Sequence, residues 1–338
     1  MHKVSPIDVG FGGVKYGQQT KSDELMCRSF ASLCPTAFHA SNDTSPIDVV
    51  HTLIDDITYV AGNEAHLALS GLAFGRVQST NYARTAEYQA LVNAALFYID
   101  RPIIDVLVLG LPVSTFPHEK QALFESMKGI HQYSRTDRND TDGRKLFCDV
   151  KNVLVLRQPM GGLYDVYSTE KYANALTNGK TLVLDPGFFT LDWIVANNKK
   201  PIEDRCGASN NGGVSAIYKA VANELQRETN EQVDISRVEE AYNGTGIIRV
   251  SGEKINLSKY DNLARGVLNQ VLNEMESKIK TYSDLENIVV VGGAAELYKR
   301  ILQPRVPKFD IIVPDHPMFS NVRGFQVAGE IWAANNLS

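Results

Sequence analysis

The sequence predicts an α/β protein made of two similar domains. Strand, hairpin, strand, helix, strand and helix follow one another in this order in both halves of the chain, which is typical of a duplicated α/β unit. The chain of 338 residues is also too long for one small core and fits two domains of ordinary size. A duplicated unit of this kind predicts a ligand-binding cleft between the domains.

The first half predicts a hairpin, a strand-rich insert and then alternating helices and strands. Apolar residues at helical spacing predict a buried helix, whereas short unbroken apolar runs predict strands. In chain order the predicted elements are strands 4–9 and 14–17, short strands within about 20–80 with a loop at 41–46, helix 85–99, strand 103–109, helix 117–127 with Thr115 as N-cap, an exposed hairpin end or loop at 133–145, strand 147–156 and a helix from 158 to about 174.

The second half begins near Thr181 with another hairpin. A glycine-rich loop then opens a helix, and a long amphipathic helix follows. In chain order the predicted elements are hairpin 182–192, loop 206–213, helices 214–227 and 258–279, strand 288–291, helix 294–301, strand 311–313 and helix 324–335.

The two hairpins share a pattern with chemical meaning: apolar strand, Asp, glycine turn, apolar strand. Asp8 stands in the first hairpin and Asp185 in the second. A turn with few side chains lets backbone N–H groups approach phosphate closely, and an Asp at its edge can hold a cation directly or through water. An ordinary hairpin explains either segment alone, but the pair predicts two clamps on the phosphates of one nucleotide.

Five segments, in order, resemble the motifs of the superfamily of actin, sugar-kinase and heat-shock-chaperone ATPases. They are residues 7–15, residues 110–112 with 154–164, residues 184–192, residues 289–295 and residues 321–333. The chain's size, the step Gly110-Leu111-Pro112 and the tail are most similar to ParM-like bacterial actins, which segregate plasmids. The resemblance implies the actin-like ATPase fold, with a mixed five-stranded sheet flanked by helices in each domain and a nucleotide in the cleft.

The resemblance also implies domain bounds. Domain I would comprise residues 1–165 and 320–338, with the strand-rich insert at about 20–80, and domain II would comprise residues 166–319.

Carried over to matching positions, the resemblance implies that Asp8 and Asp185 hold Mg²⁺ through its waters, since Mg²⁺ sheds its hydration shell reluctantly. Lys15 would reach the phosphates as a point charge. Gln158 would orient the attacking water, and with the two Asp residues it makes up the implied catalytic set. The implied nucleotide contacts in the loops are Gly10, Phe11, Gly12, Gly13, Gly187, Phe188, Phe189, Thr190, Gly212, Gly213, Gly292, Gly293 and Ala294.

The second hairpin departs from the family pattern, which commonly has a Gly/Thr-rich turn after the Asp. Pro186 removes a backbone donor, and the rings of Phe188 and Phe189 need a surface to pack against. Phe11 is similarly bulky in the first hairpin. The phosphate contacts of the second loop, and its support of normal hydrolysis, are therefore open at this point.

The implied function is a slow ATPase that couples hydrolysis of ATP to ADP, with Mg²⁺, to assembly into dynamic filaments for plasmid segregation. The residues do not distinguish ATP from GTP. The implied partners are further copies of the chain and a DNA-binding adaptor. The insert at 20–80 and the loop at 133–145 are candidate filament surfaces, and solvated loops explain them equally well.

Composition narrows the remaining classes. A net charge of −5 argues against a general nucleic-acid-coating surface, and we expect no direct sequence-specific DNA binding. No apolar run reaches the roughly 18–20 residues of a membrane helix, and we expect neither a membrane partner nor a signal peptide.

The four cysteines lack CxxC spacing, which predicts reduced thiols in the cytoplasm rather than zinc ligands or disulfides. They are Cys27, Cys34, Cys148 and Cys206.

Two alternatives stay open. A monomeric sugar or metabolite kinase of the same fold needs a carboxylate base beside the transferred phosphate, and Gln158 is too weak a base for that task. Asp165 is the candidate carboxylate, although we expect it on the solvated face of its helix. A chaperone-like, nucleotide-gated binding protein needs a substrate-binding domain, for which the tail after the second connecting helix leaves little room.

Overall fold

The computed structural model describes the chain except for residues 1, 21, 23, 37–47, 69–80, 137–144, 175, 177–178 and 338. The chain divides into two compact units: unit 1 is Met1–Ser168 with Asn321–Ser338, and unit 2 is Thr169–Ser320. The predicted loop at 41–46 and the centre of the one at 133–145 lie outside the described residues. Within the described ranges, no helix is long and apolar enough to cross a bilayer.

Elements are numbered along the chain. Those of unit 1 are β1 (Val4–Val9), β2 (Gly13–Gln19), β3 (Leu25–Ala31), β4 (Val49–Ile54), β5 (Ile57–Ala61), α1 (Ala86–Ile99), β6 (Ile103–Ile104), β7 (Val106–Leu111), α2 (Phe116–Met127), β8 (Gly129–Thr136), β9 (Lys145–Val150), β10 (Val153–Arg157), α3 (Gln158–Ser168) and the last helix, α9 (Ser320–Asn336). Those of unit 2 are α4 (Glu170–Ala173), β11 (Lys180–Pro186), β12 (Leu191–Asn197), β13 (Lys200–Pro201), β14 (Gly207–Ser209), α5 (Val214–Thr229), α6 (Ile235–Asn243), β15 (Ile247–Val250), β16 (Glu253–Asn256), α7 (Asp261–Ile279), β17 (Leu285–Val290), α8 (Ala295–Leu302) and β18 (Ile311–Ile312).

The main sheets of the two units have the same topology. The order is β10-β7-β1-β2-β3 in unit 1 and β18-β17-β11-β12-β13 in unit 2. In each, the first hairpin is antiparallel and its first strand pairs in parallel with a later strand. The predicted α/β fold with two mixed five-stranded sheets is confirmed, and unit 2 adds β14 beside β12.

A second five-stranded sheet in unit 1, in the order β5-β4-β8-β9-β6, corrects several boundaries. The insert at 20–80 is not one structural unit, because β3 completes the main sheet whereas β4 and β5 belong to the second sheet. The predicted strand 103–109 is two strands in different sheets. Asp105 lies between them. Its side chain accepts the Lys3 N–H at 2.7 Å, and its own N–H donates to the Lys3 carbonyl at 2.9 Å.

Other predicted elements differ in extent. The strand 147–156 is broken between β9 and β10, and the helix 158–174 is broken between α3 and α4. Of the two readings of 133–145, the hairpin end fits the structure, because β8 continues to Thr136 and pairs antiparallel with β9, which begins at Lys145. The sequence prediction missed α6 and the hairpin β15–β16, whose elements are only 9, 4 and 4 residues long, too short for a period to stand out.

Helices α1 and α9 both belong to the core of unit 1. The α1 helix starts as predicted, because the Thr85 side chain accepts the Tyr88 N–H at 3.2 Å. Its residues Leu91 and Leu96 are fully buried in a cluster with β1 and β7. Phe325 of α9 is fully buried in a separate cluster with Val4, which lies on β1.

A buried cation in unit 2 makes a first prediction. Arg205 is 6% exposed and donates to both carboxylate oxygens of Asp284, at 2.8 and 3.0 Å. These hydrogen bonds, joined by one from Lys180, hold the pKa of Asp284 at about 2. A carboxyl with a depressed folded pKa stabilises the fold above its unfolded pKa of 3.8, and this contribution is lost as pH falls toward 2.

Asp284→Asn should therefore lower the free energy of unfolding at pH 7 by about 1 kcal/mol. This is the low end for a charged hydrogen bond, because the carboxylate is 35% exposed. Urea unfolding at pH 7 and at pH 3 measures the effect. The difference in the free energy of unfolding between variant and wild type should be smaller at pH 3 than at pH 7. An equal difference at the two pH values would show that the charge of Asp284 does not stabilise the fold.

Candidate functional site

The hairpin β1–β2 places a buried carboxylate beside a glycine loop. Asp8 is 3% exposed and lies opposite Lys15 in the strand pair. The Gly10 N–H donates to the Gly13 carbonyl at 3.1 Å and closes a two-residue loop. The carboxylate thus stands two residues before the closing glycine.

The hairpin β11–β12 repeats this arrangement in unit 2. Asp185 is 9% exposed and lies opposite Asp192. The Gly187 N–H donates to the Thr190 carbonyl at 2.8 Å and closes another two-residue loop. Asp8 and Asp185 therefore occupy equivalent positions in equivalent hairpins of sheets with the same topology.

Gln158 lies against the first hairpin. It is the first residue of α3, at the end of β10, and is 9% exposed. Its Nε2 donates to Asp8 Oδ1 at 2.7 Å, and Lys15 Nζ lies 3.9 Å from Asp8 Oδ2. Unit 1 therefore brings together three of the residues that sequence analysis proposed, and its Asp8 carboxylate is held on both oxygens.

The loop of the second hairpin is oriented by α5. Three of its carbonyls accept backbone N–H groups at the start of this helix. The Gly187 carbonyl accepts from Val214 at 3.1 Å, that of Phe188 from Ser215 at 2.9 Å, and that of Phe189 from Gly213 at 3.0 Å. No described peptide bond is cis, and in a trans peptide the C=O and the following N–H point in opposite directions. The amides that follow these carbonyls are therefore turned away from α5, a geometry suited to an anion.

The predicted glycines before α5 support this loop from behind. A Cβ on Gly213 would overlap backbone atoms of Phe188 and Phe189, so only glycine allows this approach. The carbonyl of Gly212 accepts a hydrogen bond from the Tyr298 hydroxyl. Packing explains both glycines, and their contact with a nucleotide stays a prediction.

The loop after β17 lies beside the second carboxylate. Gly292 has φ +82°, and a Cβ there would sit 2.7 Å from Asp185 Oδ1. Its N–H donates to the Pro317 carbonyl at 2.9 Å. Gly293 borders open space, and Ala294 directly precedes α8. Unit 2 thus brings the predicted Gly292 segment together with Asp185.

The chemistry of these residues fits a hydrated cation and a polyphosphate. Each hairpin offers one buried carboxylate, and the first also offers Lys15. The described residues hold no cluster of three His, Cys, Asp or Glu side chains that could ligate a metal directly. Single carboxylates that reach the ion through its waters are the usual arrangement for Mg²⁺ bound with phosphates.

Asp165 does not lie on a solvated face, contrary to the sequence prediction. It is 2% exposed, and its two oxygens accept from Arg323 Nε and Nη2 at 2.8 and 2.6 Å. This bidentate pair joins α3 to α9. The sequence analysis missed Arg323, although its place in the helix after the final strand was a usable signal.

Glycines allow α3 and α9 to cross at backbone contact. A Cβ on Gly324 would lie 2.5 Å from the Gly161 carbonyl carbon and closer still to its oxygen. The Gly162 N–H also donates to Asn321 Oδ1 at 3.1 Å. This crossing fixes the helix that begins with Gln158.

Two family models match the chain. The model described as actin like proteins N terminal domain matches residues 6–161, and the one described as archaeal actin homologue MreB-like, C-terminal, matches residues 183–304. Together they cover most of the sequence. No curated protein matches the chain in sequence.

Solved structures share the fold at low identity. An archaeal actin homolog, Ta0583, is 18% identical with a TM-score of 0.76, and the alignment covers 97% of this chain and 99% of that one. Its complex with ADP is 16% identical with a TM-score of 0.75, with 97% and 99% covered. A ParM from a 15-stranded Clostridium botulinum filament is 19% identical with a TM-score of 0.70, with 98% and 100% covered.

The N-terminal model ends at residue 161 and the C-terminal model begins at residue 183, on either side of the boundary between unit 1 and unit 2 at residue 168. The resemblance to actins that the sequence indicated is confirmed by the family models, and the solved ParM structure shares the fold. The chain belongs to the actin-like proteins.

Proposed function

We propose that the protein binds ATP with Mg²⁺, hydrolyses it slowly and assembles into dynamic filaments that move plasmid DNA. The observation that carries the proposal is the pair of equivalent hairpins, each with a buried Asp two residues before a glycine-closed loop. The ADP complex of one structural relative and the ParM filament of another support it. GTP is a second candidate nucleotide, since the base contacts are not assigned.

Each residue has a role in this proposal. Bound Mg²⁺ would neutralise the phosphate charge that develops in the reaction. Asp8 and Asp185 would hold waters of the ion, Lys15 would attract the phosphates, and the loop amides would cradle them. Gln158 donates its amide N–H to Asp8, which leaves its carbonyl end as the acceptor that orients a water.

The proposed partners are further copies of the chain and a DNA-binding adaptor that connects the filament to its cargo. A head-to-tail contact that does not close into a ring produces such a filament. The proposed location is the cytoplasm. Direct sequence-specific DNA recognition and membrane binding are not part of the proposal.

The kinase alternative has lost its candidate base. Asp165 is buried and pairs with Arg323 through both oxygens, so its carboxylate already serves the crossing of α3 and α9. No other observation favours a kinase or a nucleotide-gated binding protein.

The test is pelleting combined with electron microscopy in ATP, GTP, ADP or no nucleotide, while phosphate release is recorded. The proposal requires nucleotide-dependent filaments accompanied by phosphate release. Binding of nucleotide without filaments over a wide range of protein concentration would overturn the polymer claim. A phosphorylated sugar product would revive the kinase.

Gln158→Ala should slow phosphate release by at least about tenfold, a barrier increase of about 1.4 kcal/mol, because the attacking water loses its acceptor. Filaments should still form and should persist longer than those of the wild type. Phosphate release and pelleting over time measure both effects. Gln121→Ala on α2 is the matched control, since Gln121 is exposed and its amide donates to the neighbouring Glu125. Turnover of the Gln158 variant equal to that of the control would remove Gln158 from the mechanism.

A further inference from the structure

Both hairpin loops carry phenylalanine at the same position. Phe11 follows Gly10 and Phe188 follows Gly187, so each is the first residue of its two-residue loop. Tight turns favour Gly, Asn, Asp or Ser at such positions, and turn chemistry gives no reason for a large ring. The reason is therefore to be found in what the two rings contact.

In unit 1 the loop ring starts a series of three aromatic rings in contact. Phe11 stacks on Tyr82 with ring centroids 4.9 Å apart and an interplanar angle of 27°. Tyr82 makes an edge contact with Tyr88 at 5.5 Å and 87°. Tyr88 is 1% exposed in α1. The loop is thereby joined to α1, which belongs to the core of unit 1.

The turn that carries Tyr82 is itself fixed. Arg84 Nε donates to Glu119 Oε2 at 2.5 Å, and Nη2 donates to the His118 carbonyl at 3.3 Å, both on α2. Glu119 is 6% exposed. The turn that offers the Tyr82 ring to Phe11 is therefore tied to α2.

Unit 2 repeats the series with different elements. Phe188 makes an edge contact with Tyr218 of α5 at 6.5 Å, and Tyr218 stacks on Tyr242 of α6 at 5.5 Å and 22°. Tyr218 is 2% exposed. The first ring of each series is thus at the loop tip and the second is on a fixed element behind it.

We infer that Phe11 and Phe188 are positioning residues, whose rings hold the two loops in the conformation that receives nucleotide phosphate. The inference rests on the proposed function. A loop fixed before binding loses less conformational entropy when the ligand arrives, so affinity rises without a new ligand contact. The rings act on phosphate through the backbone of their loops and need not touch the nucleotide.

The test compares Phe11→Leu with Phe11→Tyr. Leucine keeps an apolar side chain, although a smaller one, and removes the stacking, whereas tyrosine keeps the stacking. We expect Phe11→Leu to raise the Kd of Mg²⁺-ATP about tenfold, equivalent to about 1.4 kcal/mol. Phe11→Tyr should keep the Kd of the wild type. Binding of tripolyphosphate should weaken by the same factor, and binding of adenosine should not change. Phe188→Leu and Phe188→Tyr repeat the comparison in unit 2.

A readout without nucleotide separates positioning from ligand contact. Hydrogen exchange of residues 8–17 in the nucleotide-free protein should be faster in Phe11→Leu than in wild type and in Phe11→Tyr. Unchanged hydrogen exchange and an unchanged Kd in the leucine variants would overturn the inference. Weaker binding of adenosine with unchanged binding of tripolyphosphate would overturn it too. If the wild type binds neither ATP, ADP, GTP nor tripolyphosphate, the proposed function itself fails.

Discussion

Replacing Gly324 by alanine is expected to lower the free energy of unfolding by about 3 kcal/mol or more. The added Cβ would sit 2.5 Å from the Gly161 carbonyl carbon. That neighbour is helix backbone, so α3 and α9 would have to move apart. The movement would also strain the Arg323–Asp165 pair and displace Gln158 from Asp8. Urea unfolding of the nucleotide-free protein measures the loss.

Gly266→Ala is the matched control, because Gly266 lies in α7, is exposed, and has open space where its Cβ would be. Alanine is the better helix former there, and the control should gain up to about 1 kcal/mol of stability. If the Gly324 variant has the same urea midpoint of unfolding as the wild type, α3 and α9 do not cross at backbone contact.

Asp185→Ala should abolish tight binding of Mg²⁺-nucleotide, with a Kd at least about 100-fold above wild type, or about 2.7 kcal/mol. Under the proposed function this carboxylate holds waters of the ion. The loss should therefore be large with Mg²⁺ and should nearly vanish in EDTA, where the wild type also binds weakly. Calorimetric titration with ATP, in Mg²⁺ and in EDTA, gives the ratio of the Kd of the variant to that of the wild type under each condition.

Asp310→Ala serves as the control, because Asp310 is an exposed aspartate of the same unit. It should bind Mg²⁺-ATP as the wild type does. Wild-type affinity of the Asp185 variant in Mg²⁺ would take this residue out of the metal site. A loss of equal size in EDTA would assign Asp185 a role other than holding the ion.

The sequence predicted the parts of the fold that local patterns control. The two hairpins were found because an Asp followed by a glycine turn between apolar runs is a local signal. The α1 helix was found because its apolar residues recur at helical spacing. Both patterns depend on residues close together in the chain.

The parts that were missed depend on distant partners. Nothing local marks Asp105 as the point where one apolar run passes from one sheet to another, since its partner Lys3 lies near the start of the chain. The role of Gly324 depends on Gly161, which is equally remote. Asp165 was placed on a solvated face because the pattern of its own helix does not reveal Arg323. Sequence period reports burial but not the identity of the neighbour.

The position of α9 in the chain has a consequence for biosynthesis. This helix supplies Phe325 to the core of unit 1, yet it follows the whole of unit 2 in the sequence. Translation at about 5–20 residues per second separates the two parts of unit 1 by several seconds. Unit 2 is complete on the ribosome first, and until α9 is synthesised, the nascent unit 1 lacks the helix that covers the apolar surface around Val4.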